Sequence, residues 1–324
     1  MTPISTTATA RDRHRTEAAG WAWGLAGVLA FSLTLPLTRV AVRELDPWLI
    51  GLGRALVAAL PAAAYLWFAR APRPSAAQWR TLAVVGLGVI LGFPVATSIG
   101  LQTVPAAHGA VVVGLLPLAS ALFATWLGGE RPSARFWLWA VAGSLVVLVF
   151  AWRHGDGALA RGDLWLLLAV ALGGLGYAEG GRLARSLGGP AVICWALVLA
   201  APVLALPVAW LAGRQAWPVS GATWGAFAYL ALVSQWLGFF AWYRGLALGG
   251  VARVGQAQLL QVFLTIAAAA AVFGEAVAPS TWVYAALVAV AVALGRRAGV
   301  ASPSAALAPG AAPSPHDEPR NPRP

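Results

Sequence analysis

Lysine is absent from this chain of 324 residues; all 22 basic residues are arginine. Without lysine no glycine-rich phosphate loop closing on Lys exists, so the chain encodes no ATP-driven motor of that type. Cysteine is almost absent as well. Cys194 stands alone, which excludes an intrachain disulfide and any CxxC-type metal or redox motif. It lies in an apolar block and reads as packing. HExxH is missing and no zinc-ligand cluster occurs, so no metal or cofactor is expected. Charge is scarce too, at 10% of residues, against about 25% in a soluble domain. A soluble fold of this length would lack the polar surface it needs. Period-two alternation is also missing, which argues against an outer-membrane barrel.

What remains is apolar. Hydrophobic residues make up 60% of the chain and fall in blocks of roughly 20, the length of a bilayer-spanning helix. Ten such spans are expected, near 20–42, 47–69, 80–101, 105–127, 134–152, 163–182, 190–212, 222–244, 251–273 and 278–297. Turn chemistry separates them, as at Asp46-Pro47, Pro72-Arg73-Pro74, Arg131-Pro132-Ser133, Gly188-Gly189-Pro190 and Pro279-Ser280. The first block, Trp21 to Val42, is longer than the roughly 7–15 residues of a signal-peptide core and reads as a retained span. Residues 1–19 form a polar N-terminus, and residues 298–324, rich in Ala, Pro and Ser, read as a disordered tail.

The net charge of +11 is not a nucleic-acid signal. The arginines sit singly or in pairs between apolar blocks, with no basic stripe. Sixteen fall on the side of the N-terminus and five on the other (Arg39, Arg43, Arg153, Arg161, Arg214), while Arg54 lies inside the second span. By the positive-inside rule both termini are expected in the cytoplasm, in a bacterial inner membrane. Expected partners are a small-molecule solute and membrane lipid, with a homodimer left open and nucleic acid excluded.

The halves resemble each other. An offset of 145 carries Gly100-Leu101 onto Gly245-Leu246, His108 onto Arg253, Glu130 onto Glu275 and Trp137 onto Trp282. An offset of 143 carries Arg39 onto Arg182 and Pro47 onto Pro190. Residues 20–152 and 163–297 would thus be two repeats of five spans. An odd-numbered repeat sits inverted relative to its partner, a common transporter architecture. The fold class is an all-α membrane protein of about ten transmembrane helices in two inverted five-helix repeats.

Each half closes its fourth span with a Gly-Glu pair, Gly129-Glu130-Arg131-Pro132 and Gly274-Glu275, and then opens a short fifth span near a Trp. With the junctions Leu101-Gln102-Thr103-Val104-Pro105 and Gly245-Leu246-Ala247-Leu248-Gly249-Gly250-Val251, the chain resembles the EamA-type branch of the drug/metabolite transporter superfamily over about residues 20–297. The resemblance implies a central cavity open alternately to each side, a fifth and a tenth helix outside it, and export of small metabolites or amino acids. The first fourth-span run, Gly114-Leu115-Leu116-Pro117, has the family's helix-interrupting proline; its counterpart Leu259-Leu260-Gln261-Val262 does not.

Ionisable groups inside spans are the strongest functional pointers, because hydrocarbon penalises them by several kcal/mol. Arg54 reads either as a snorkelling or carbonyl-paired side chain, or as a cation for an anionic solute group. Glu179, among Gly173-Gly174-Leu175-Gly176-Tyr177-Ala178-Glu179-Gly180-Gly181, reads either as a partner of Arg182 or as a proton-coupling carboxylate that also suits a solute amine. Val254, Gln258, Gln261 and Thr265 fall on one helical face and either glue helices together or line a wet cavity. Gln235 belongs to the same polar zone, and Trp236 beside it is a candidate stacking surface. The candidate solute-binding set is Arg54, Glu179, Gln235, Trp236, Gln258 and Gln261. His108, Glu130 and Glu275 read as interfacial or capping groups. No catalytic residue is expected and the chain is not read as an enzyme. A small polar or amphiphilic solute, amino-acid-like or drug-like and exported with proton coupling, is the expected cargo. A membrane-embedded lipid-binding or lipid-modifying protein is the alternative.

Overall fold

The structure, a computed structural model, describes residues 10–154, 161–274, 278–298 and 300–301. Glu275 and the tail past residue 301 lie outside the described residues. Nearly all the described chain is helical. The spans are α1 (Arg15–Ala41), α2 (Pro47–Phe68), α3 (Ala76–Gly100), α4 (Ala106–Trp126), α5 (Ala134–His154), α6 (Arg161–Leu187), α7 (Gly189–Arg214), α8 (Gly221–Gly249), α9 (Val251–Phe273) and α10 (Pro279–Arg296). Eight are long and apolar enough to cross a membrane; α5 and α10 carry the shorter apolar runs Ala134–Phe150 and Pro279–Gly295.

Local chemistry sets the boundaries. Asp46 caps α2 by accepting from Trp48 N and Leu49 N, with Pro47 at the first helical position. Ser75 and Gln78 form a capping box at the start of α3, and Ser220 caps α8. A two-residue strand β1 (Arg131–Pro132) pairs antiparallel with β2 (Val300–Ala301), so the segment read as a tail begins with a short tethered stretch.

Helices of one half pack mainly on helices of the other. α1 lies on α8, α2 on α7, α3 on α6, α4 on α9 and α5 on α10, while α4 also meets α6 and α1 meets α9. Exchanging the two halves maps this pattern onto itself, as an inverted repeat requires. Glycine makes the two equivalent seams possible. At Gly245 an added Cβ would stand 2.6 Å from Gly24 N, and at Gly88 it would stand 2.5 Å from Leu172 O and 2.8 Å from Gly176 Cα. Backbones that approach this closely gain packing where no hydrophobic drive exists between helices.

Several spans are not regular α-helices throughout. α1 breaks at Leu33, three residues before Pro36, and α4 at Gly114-Leu115, just before Pro117. α9 breaks at Gln256-Ala257 with no proline. There Ala257 N bonds to Val254 O at 2.9 Å and Leu259 N to Gln256 O at 3.1 Å, the tighter i→i+3 pattern. The discontinuity that the missing proline left unexpected in the second half is therefore present, made by local winding. α3 and α8 each contain a π-helical stretch, Gly86–Gly92 and Leu230–Leu237, at equivalent places in the two repeats. Pro61, by contrast, sits inside an unbroken α2.

Side chains clasp the halves at both ends. At the end bearing the N-terminus, Glu130 is 2% exposed; its carboxylate accepts from Val251 N and Ala252 N and from Arg185 Nη2, each at 3.0 Å. A first-half carboxylate thus caps the second-half helix α9 where the chain turns through Gly250, at φ +86°. Beside it Arg253 Nη1 meets Glu17 Oε1 at 2.6 Å. At the other end His108 Nε2 meets Asp163 Oδ1 at 2.7 Å across the halves, while within the first half Arg39 donates to the carbonyls of Leu101 and Gln102. The Glu44 carboxylate accepts from Ser220 N at 2.6 Å, and that hydrogen bond holds its pKa below the ordinary carboxylate value.

Two sets of substitutions check these contacts by thermal unfolding in detergent. Gly88→Ala is expected to destabilise by about 1–3 kcal/mol, since backbone must move. Gly86→Ala, two residues away with nothing within 4 Å of an added Cβ, is expected to be neutral or to stabilise by up to about 1 kcal/mol. Equal losses at both positions would show that the seam is not the cause. Glu130→Ala is expected to cost about 2 kcal/mol or more by stranding the α9 N-terminus; an unchanged unfolding temperature would mean that water replaces the carboxylate there.

Candidate functional site

The irregular stretches of these helices converge on a void of about 20 Å³, room for about one water molecule. α1, α2, α3, α4, α6, α8 and α9 line it; neither α5 nor α10 contributes. Arg54 of α2 is its one basic side chain, 2% exposed. Its Nε donates to Gln235 Oε1 at 2.8 Å, while Gln235 Nε2 donates to Val89 O at 3.0 Å. The second bond fixes which way the carboxamide points, so its oxygen faces the guanidinium. Val89 lies in the π-helical stretch of α3 and Gln235 in that of α8, so one wide turn receives from the other. Arg54 Nη1 is buried with no hydrogen-bond partner among the described residues.

A second void of about 10 Å³ adjoins, between the break of α4 and α9, and Gln258, Gln261 and Thr265 reach it. The polar stripe of α9 is partly glue. Pro36 has no N–H for the Ser32 carbonyl, and Thr265 Oγ1 donates to that carbonyl at 2.9 Å. Gln261 Nε2 reaches Phe31 O at 3.4 Å. The rest stays open. Gln261 Oε1 and both polar atoms of Gln258 are buried without a partner in bonding geometry, although Gln258 stands beside the Tyr177 hydroxyl.

The structure therefore brings Arg54, Gln235, Gln258 and Gln261 together. It places the other two candidates elsewhere. Glu179 is held by Arg182, with Nη2 to Oε2 at 2.5 Å, and Arg182 extends toward Thr81 at 3.4 Å; Glu179 lines neither of these voids. Trp236 is half-buried, donates its indole N–H to Cys194 Sγ at 3.3 Å and stands edge-on to Phe240. The lining residues that sequence reasoning did not single out include Thr34, Tyr177 and the rings of Phe31, Phe93 and Phe239. A hydroxyl two residues before a helix-breaking proline marks Thr34. The phenylalanines carry no signal in so apolar a sequence.

A family model described as the EamA-like transporter family matches residues 18–152 and again residues 160–295. A protein of Bacillus subtilis (strain 168), named uncharacterized transporter YdeK, is 44% identical over 259 residues, covering 80% of this chain and 90% of that protein. A solved crystal structure of a protein superposes with a TM-score of 0.67 at 21% identity, covering 85% of this chain and 97% of the other; at that identity the likeness is one of fold. With both halves matched in turn, the chain belongs to the EamA-like transporter family.

Proposed function

We propose that the protein is a secondary transporter that carries a small solute across the bacterial inner membrane by alternating access around the Arg54 void, with both termini in the cytoplasm. The observation that carries this reading is a buried, incompletely bonded cation between two inverted halves, framed by discontinuities in α1, α3, α4, α8 and α9. Polar groups lacking partners in hydrocarbon are costly and persist where a solute or water supplies the missing bond. Breaks and π-turns are where a helix bends without melting, and they sit beside the void rather than at random. Arginine asymmetry supports the orientation, and family likeness supports export. The alternative lipid-binding reading keeps one observation, an apolar groove of about 640 Å³ between α1, α9 and α10. Acyl chains of the surrounding bilayer suit it, and it is separate from the polar void.

Accessibility tests the reading directly. In a Cys194→Ser background, Leu116→Cys places a thiol at the void. A membrane-impermeant maleimide is expected to label it when applied from either face of the membrane. Labelling from neither face, in a chain with an intact thermal transition, would remove the alternating cavity. Glu179 is the proposed proton carrier, released from Arg182 on protonation. Glu179→Gln is expected to abolish pH-driven flux while leaving membrane insertion intact; flux that keeps its pH dependence would move coupling to another group.

A further inference from the structure

Among the described residues, the lining of both voids contains one cation, Arg54, and no carboxylate. From this, and resting on the transporter reading above, we infer that the solute is an amphiphilic monoanion without an ammonium group: a carboxylate or similar oxyanion on an apolar, ring-sized body.

Charge comes first. An unpaired buried guanidinium costs several kcal/mol, and the neutral Gln235 oxygen relieves only the hydrogen bond at Nε. Gln235 is itself held by Val89 O, so the brace keeps the guanidinium in place rather than neutralising it. The terminal nitrogens are left for another acceptor, with Nη1 buried and unbonded. A planar oxyanion offers two oxygens to such an edge and restores charge balance at once.

The same inventory argues against a zwitterion or an organic cation. A bound ammonium would be buried beside a guanidinium with no acid to receive it. The carboxylates of the described chain that pack near these helices are already engaged: Glu179 with Arg182, Glu130 with Arg185 and the α9 N-terminus, Asp163 with His108, Glu17 with Arg253, Glu44 with Ser220 N and Asp46 with the α2 N-terminus. A single cation also favours one negative charge over two. Much of the remaining wall is apolar, with the Phe31 and Phe239 rings 5.0 Å apart and Phe93 beside them in the lining, while the neutral Tyr177 hydroxyl turns to Gln258. The nearby hydroxyls of Thr34 and Ser234 satisfy each other at 2.8 Å, so they make little demand on a solute. The glutamine amides, Gln258 and Gln261, supply the remaining neutral contacts.

Protection of the Leu116→Cys thiol from maleimide tests the class with four probes that share a ring and chain: 3-phenylpropionate, 3-phenylpropionamide, phenethylammonium and phenylalanine. The carboxylate is expected to slow labelling at concentrations about tenfold below any of the other three, a difference of about 1.4 kcal/mol. Arg54→Met removes an unpaired buried charge and is expected to fold at least as stably as the parent, yet to lose protection by the carboxylate while the amide is unaffected. Arg54→Lys, which keeps the charge, is expected to retain part of the protection. Stronger protection by phenethylammonium or phenylalanine would overturn the inference, as would carboxylate protection that survives Arg54→Met. Labelling from both faces with no protection by the carboxylate would overturn the anion class and leave the transporter reading standing. Labelling from neither face would overturn both.

Discussion

A helix that crosses hydrocarbon must satisfy its backbone hydrogen bonds within the protein, because no water is there to take them. The same helix must deviate from regularity if it is to bend around a solute. In this chain the conflict is resolved by the other half of the molecule. Pro36 frees the Ser32 carbonyl in the first half, and Thr265 from the second half donates to it. Val89, in the wide turn of α3, receives Gln235 from the wide turn of α8. The start of α9 is capped by Glu130 from the loop after α4. Each of these irregular points is thereby a contact between halves, so the elements that allow bending also determine where the halves meet.

That arrangement explains why a charge survives in the centre. Arg54 is held through one nitrogen by a carboxamide whose own orientation is fixed, and it is shielded by side chains from the helices around the void. Stability alone would favour methionine or leucine at this position. Retaining an incompletely paired guanidinium is the kind of local inconsistency that marks a working site rather than a packing solution. The void around it holds only about one water, so on the proposed reading a solute enters only where the halves part.

The class, the number of spans and their inverted pairing could be read from the sequence because each follows from long-range repetition: apolar blocks, arginine asymmetry and a constant offset between Glu130 and Glu275 or His108 and Arg253. The site could be read only in part. Arg54 and the α9 glutamines stand out chemically against an apolar background, and Gln235 stands out beside them. Trp236 and Glu179 stand out equally, yet each is turned to a neighbour, Cys194 and Arg182. Helical spacing assigns a face within one helix but not which neighbour that face meets. The break in α9 is hidden for a different reason. Pro117 announces its counterpart in α4, whereas the winding at Gln256-Ala257 arises from packing and leaves no residue signature.

Equivalent positions in the two repeats carry unlike chemistry, and the two ends are therefore held shut by different groups. The offset that relates His108 to Arg253 brings Glu17 to within one residue of Asp163, so the two ion pairs are counterparts at opposite ends. One end is closed by Arg253 with Glu17 and by Arg185 with Glu130. The other is closed by His108 with Asp163 and by the Glu44 carboxylate on Ser220 N. Separation at the first end exposes full charges and strands a helix N-terminus. Separation at the second breaks the His108–Asp163 pair and the bond from Ser220 N to the Glu44 carboxylate. Inverted symmetry makes the two ends geometrically alike, while the side chains at the clasps differ: two arginine–glutamate pairs at one, a histidine–aspartate pair and a carboxylate on a backbone N–H at the other.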